Sequence, residues 1–127
     1  MVFVMHGNNR NGKEYCFEWV KTAQNHKFLL LCPNFDELNY PGSENYQLGG
    51  MWLDNAFVDS SQWTYNFIDS IHKFLLESNY INNNKYAIYG HSAGAQFVHR
   101  YAEFIRPLSA EIIVSANAGW YTRINTT

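Results

Sequence analysis

Gly90-His91-Ser92-Ala93-Gly94 decides the reading of this chain. It follows an apolar run, Tyr86-Ala87-Ile88-Tyr89, and opens a helical pattern over residues 96–105. A serine between two glycines at a strand-to-helix junction has the sequence form of a nucleophile elbow. The sharp turn holds the serine in a strained conformation and projects its hydroxyl from the sheet edge. Gly90 and Gly94 sit where strand and helix backbones nearly touch, so a residue without Cβ is required. Ala93 starts the helix, where backbone N–H groups have no intrahelical partner and can face a developing oxyanion. The alternative is a glycine-rich turn with an idle serine. The strand before and the helix after favour the elbow.

Outward from this motif, apolar runs and helical patterns alternate. Residues 2–5 read as a short buried strand that ends at His6-Gly7 and a polar loop, Asn8-Asn9-Arg10-Asn11-Gly12. Residues 13–24 carry Tyr15, Trp19, Val20 and Ala23 at helical spacing. Residues 28–31 form a second apolar run, stopped by Cys32-Pro33. From 34 to 55 the pattern is irregular, with turns at Pro41-Gly42 and Gly49-Gly50. A stretch around Tyr40 and from 46 to 52 is a candidate lid, or else a surface excursion packed by its own aromatics. Residues 62–76 place Trp63, Phe67, Ile71, Phe74 and Leu75 on one face, which predicts the longest helix, with Asp59 or Ser60 as N-cap. Pro107 ends the helix after the elbow, and residues 111–116 form a last strand.

Short apolar strands alternating with helices predict an α/β fold, a three-layer α/β/α arrangement around a mostly parallel sheet. Such sheets bind ligands at the carboxyl ends of their strands. His6-Gly7-Asn8, Ser92 and Asn117-Ala118-Gly119 all fall just past strand ends, so three candidate segments share one edge.

The 127 residues fit one domain, and 46% hydrophobic content is enough for a core. A net charge of −2 with scattered lysines and arginines argues against nucleic acid as a partner. No apolar run approaches the roughly 18 residues of a membrane span. Residues 1–5 are too short for a signal-peptide core, so the compartment stays open, cytoplasmic by default. Cys16 and Cys32 fit no metal or redox spacing, which makes two free thiols the expectation. No metal or organic cofactor is indicated.

On Met5-His6-Gly7-Asn8 and Gly90-His91-Ser92-Ala93-Gly94 the chain resembles the α/β-hydrolase superfamily over nearly its whole length. More narrowly it is similar to the esterase and polyester-depolymerase-like branch, through Ser115-Ala116-Asn117-Ala118-Gly119-Trp120-Tyr121-Thr122. The resemblance implies a serine hydrolase in which Ser92 attacks an acyl carbon. It also implies an oxyanion hole made by the Ala93 and Asn8 N–H groups, with His6 bracing the loop. Asn117, Trp120 and Tyr121 are candidates for a substrate pocket, or they simply turn the chain. The superfamily order is serine, acid, histidine, and both partners normally follow the strand at 111–116. The chain therefore reads as the central portion of such a domain, with the leading strands and both partners expected outside it.

No local histidine substitutes convincingly. His99 lies about 10.5 Å along the helix from Ser92 at about 1.5 Å per residue, beyond the roughly 2.6–3.2 Å of proton transfer. His91 is adjacent and points away, His26 lies at the opposite sheet end, and His72 reads as a surface or half-buried residue. Asp36, Asp54, Asp59 and Asp69 read as loop and cap residues. The expectation is a carboxylic ester hydrolase acting on a small ester or acyl substrate, inactive as this segment alone and marginal in stability or self-associating through uncovered sheet edges. The rivals are a non-catalytic module or degenerate fragment on the same fold, and an acyltransferase or peptidase.

Overall fold

A computed structural model describes residues 1–123. Its centre is a four-stranded parallel sheet in the order β2-β1-β5-β6. The strands are β1 (Val2–Met5), β2 (Leu30–Leu31), β5 (Tyr86–His91) and β6 (Ala110–Ala116). The helices are α1 (Gly12–His26), α2 (Gly42–Asn45), α3 (Asn66–Glu77) and α4 (Ala93–Arg100). The expected α/β architecture, a parallel sheet flanked by helices, is the observed one. None of the helices among the described residues is long and apolar enough to cross a membrane.

Strand alternation divides the layers. On β5, Tyr86, Ile88 and Gly90 are buried and face α3 and α4: Tyr86 bonds Asp69 of α3, and Gly90 lies against Gly94. The odd positions face α1, with Tyr89 against Trp19 and His91 against Tyr15. That second face is only half-buried, because one helix covers it. Ile112 and Val114 of β6 are exposed for the same reason. The core lies on the α3–α4 side and is unusually aromatic. Phe97 sits there among Phe35, Tyr46, Tyr65 and Tyr101.

Several details depart from the sequence reading. The stretch at 62–76 is not the longest helix: α1 has 15 residues and α3 has 12. Asp59 does cap, accepting from the Ser61 N–H, but it caps a single 3₁₀ turn at Ser60–Gln62. The helix starts later because Trp63 takes an extended backbone, φ −70° and ψ 139°, and Thr64 then ties the chain to the excursion through its N–H on Gly49 O and its hydroxyl on Asn45 O. The irregular stretch at 34–55 contains α2 and one strand of a small hairpin, β3 (Trp52–Leu53) with β4 (Ala56–Phe57). Asp54 and Asn55 both take positive φ, 49° and 62°, as a two-residue turn of this kind requires. The excursion is anchored rather than free to close, since Phe35, Tyr46 and Met51 belong to the core.

The cysteines are the clearest correction. Cys16 and Cys32 are not free thiols but form a disulfide, with Cα atoms 5.6 Å apart. α1 runs back against the strand direction, so its N-terminal turns lie at the sheet edge where β2 ends. Cys16 and Cys32 therefore meet, although their separation of 16 residues matches no motif. Such bonds persist in oxidising compartments, which speaks against the cytoplasmic default.

Candidate active site

Ser92 stands between β5 and α4 with φ 56° and ψ −115°. A non-glycine residue there carries about 1–3 kcal/mol of backbone strain. The strain is held by bonds on both sides: Ser92 N–H donates to Ala116 O (3.0 Å), and Ser92 O accepts from Gln96 N–H (3.1 Å). The glycines explain the approach. A Cβ on Gly90 would strike the carbonyl of Gly94, and one on Gly94 would strike the carbonyls of Met5 and His6. The first turn of α4 is thereby pressed against the end of β1.

Just past that strand end, Gly7 to Arg10 forms a turn closed by the Arg10 N–H on Gly7 O (3.2 Å). Neither the Asn8 N–H nor the Ala93 N–H has a protein acceptor among the described residues. A shallow cavity of about 190 Å³ opens beside Asn8 and Ser92, bordered also by Gly7, Asn9, Asn11, Tyr15 and His91. Ser92 is half-buried and Asn8 exposed, so the hydroxyl region is within reach of a solute.

The loop is braced from below. His6 is fully buried, its Nδ1 bonds Gly7 O (3.0 Å), and its Nε2 accepts from the Phe35 N–H (3.0 Å). This pattern puts the proton on Nδ1. Burial is the main cause holding the His6 pKa below its ordinary value. The ring stacks on Tyr46 at 4.5 Å, and the Tyr46 hydroxyl donates to His6 O (2.7 Å). Arg10 ties the same loop outward, donating to Phe35 O (2.8 Å) and Gly42 O (2.7 Å) while pairing with Glu37.

Two solved structures share this fold. LpqC, a poly(3-hydroxybutyrate) depolymerase from Bordetella parapertussis, is 32% identical with a TM-score of 0.89, over 95% of this chain and 42% of its own. Poly(aspartic acid) hydrolase-1 from Sphingomonas sp. KT-1 is 32% identical with a TM-score of 0.93, over 98% of this chain and 47% of its own. The chain belongs to the α/β-hydrolase superfamily. Within it, the likeness is to the polyester-depolymerase-like members, and the chain spans under half the length of either protein. No protein-family model and no curated protein matches it.

In this α/β-hydrolase segment the remaining candidates are placed as follows. His91 turns to the α1 side, where its Nδ1 meets the Tyr15 hydroxyl at 3.1 Å. His99 has both nitrogens occupied: Nδ1 bonds Ala95 O (3.0 Å), and Nε2 accepts from the Thr122 N–H (3.1 Å). His72 is not a surface residue: it is buried against the Tyr86 ring, and its Nε2 has no partner. Asp69 is neither a loop nor a cap residue. It accepts from the Tyr86 and Tyr101 hydroxyls at 3.0 and 2.9 Å, on the far side of the core from the cavity. Among the described residues, no histidine is hydrogen-bonded to the Ser92 hydroxyl.

Asn117 takes φ 53° and turns the chain after β6. Gly119 then passes the Gln96 side chain, Trp120 lies over the Arg100 guanidinium at 3.8 Å, and Tyr121 packs on His99 at 5.0 Å. These residues run along α4, away from the cavity at Ser92. Arg10 and Arg100 escaped the sequence reading as site-shaping residues, and Tyr46 and Gln47 entered it only as part of the candidate lid at 46–52. Gln47 and Arg100 are buried polar groups whose partners come from distant segments, and no local pattern marks them.

Proposed function

We propose that Ser92 is the nucleophile of a carboxylic ester hydrolase, with Asn8 and Ala93 N–H groups forming its oxyanion hole. The Ser92 oxygen adds to the ester carbonyl carbon and loses its proton to a base. The carbonyl oxygen becomes the oxyanion, the bond to the alcohol breaks, and water later releases the acid from the acyl-enzyme. The observation that carries this reading is the strained Ser92 lining one cavity with Asn8, together with Asn8 and Ala93 N–H groups that have no protein acceptor among the described residues. The reaction calls for no metal or cofactor.

The relatives' names give the substrate class its direction: one is a polyester depolymerase and the other a hydrolase of a polyamide acid. Esters of short acids are the first candidates, and amides of acidic units the second. His6 and His91 are engaged structurally, so the base that takes the Ser92 proton lies outside the described residues. The test is hydrolysis of 4-nitrophenyl esters against matched anilides by the protein expressed from its complete coding sequence. Ester cleavage that vanishes in Ser92→Ala supports the reading; cleavage unaffected by that change refutes it.

A second reading is favoured by the unpartnered Ser92 hydroxyl: a non-catalytic module that binds acyl compounds at the same cavity. It predicts binding of a short ester without turnover, even in the complete protein.

A further inference from the structure

We infer that Gln47 is a positioning residue, a strut between helix α4 and the loop that carries Asn8. The inference rests on the proposed roles of Ser92, Asn8 and Ala93. Gln47 is 6% exposed and lies in the excursion between α2 and β3. Its Nε2 donates to Asn8 Oδ1 (3.0 Å), while its backbone oxygen accepts from Arg100 Nη1 (3.1 Å) and the Tyr65 hydroxyl (3.3 Å). Arg100 is 1% exposed and ends the helix that Ala93 begins, and its Nη1 also donates to Gln96 O (2.9 Å). A continuous polar path thus runs from α4 through Arg100 and Gln47 to Asn8.

The path connects two donors that belong to different elements. Ala93 N–H is fixed by its helix. Asn8 is exposed in a turn, and the bond from Gln47 is the hydrogen bond that holds its side chain. Donor placement matters steeply, because a shift of about 1 Å in a reacting geometry costs on the order of a hundredfold in rate.

Stability alone does not account for these groups. Gln47 Oε1 and Arg100 Nη2 are buried without partners, and Arg100 has no carboxylate among the described residues. Apolar side chains of the same length would avoid those desolvation costs. A planar guanidinium whose Nη1 alone bonds two fixed carbonyls is suited instead to setting geometry.

The test compares Gln47→Met, Asn8→Ala and the double variant in the protein from its complete coding sequence. Asn8→Ala keeps its backbone N–H and changes an exposed side chain, so it asks the same question should Gln47→Met fail to fold. Two readouts are needed: hydrogen exchange of the Arg10 amide, whose N–H closes the turn on Gly7 O, and the rate of Ser92 phosphonylation by a fluorophosphonate. Each variant should speed exchange of the Arg10 amide by about tenfold, leave β1 and α4 protected, and keep or raise the melting temperature. Phosphonylation should slow by roughly ten- to a hundredfold, with the double variant no slower than either single. Exchange at the parental rate, or faster exchange with an unchanged phosphonylation rate, overturns the inference. Should the parent itself fail to react at Ser92, the functional reading falls, while the exchange result still decides whether Gln47 holds the loop.

Discussion

Gly94 lies against the carbonyl of Met5, so the helix behind Ser92 starts in direct contact with the strand that leads to Asn8. The two halves of the candidate site are therefore spaced by backbone contact, which yields little. An added methyl at Gly94 has only backbone atoms to displace. Gly94→Ala should lower stability by about 1–3 kcal/mol, the usual cost of overpacking. A urea midpoint equal to the parent's would show that the contact is looser than described.

The Cys16–Cys32 bond closes a loop of nearly the same size as one whose cross-link contributes about 3 kcal/mol. Cys16→Ser with Cys32→Ser should lose that amount in a denaturant titration, and dithiothreitol should shift the parent but not the double variant. Equal midpoints with and without reductant would mean that the bond is absent in solution.

Acid should weaken the fold early. His6, His72 and His99 all have pKa values below the ordinary one near 6.5, with burial as the largest cause in each. Below pH 6.5 the unfolded chain takes up protons that the folded chain refuses, so stability is full above that value and falls as pH drops through it. The carboxylates Asp36 and Asp59 are shifted downward, and their influence begins only nearer pH 4. Urea midpoints should therefore fall between pH 7 and pH 5 and stay level from pH 7 to pH 9. A flat profile down to pH 5 would contradict the neutral, buried state of these rings.

Much of this was legible because it is local. Glycines at 90 and 94 around a serine require a close strand–helix turn, and short apolar runs between helical patterns require a parallel sheet. What escaped depends on contacts between distant segments. Cys16 meets Cys32 only once α1 has folded back along the sheet, and the extended backbone of Trp63 that delays α3 goes with Thr64's bonds to Gly49 and Asn45 in another segment. His72 looks like a surface residue from its helix alone, until Tyr86 covers it. Gln47 and Arg100 carry no pattern at all: their meaning lies in the bond from Arg100 to the Gln47 carbonyl, 53 residues away in sequence, and in an asparagine on another loop.

The central claim is that Ser92 is a nucleophile. The direct measurement is mass spectrometry of the protein from its complete coding sequence after reaction with a fluorophosphonate, alongside Ser92→Ala. One phosphonyl adduct on Ser92, absent from the variant, is the predicted result. A folded parent that gains no adduct, or a variant labelled as strongly as the parent, would contradict the claim.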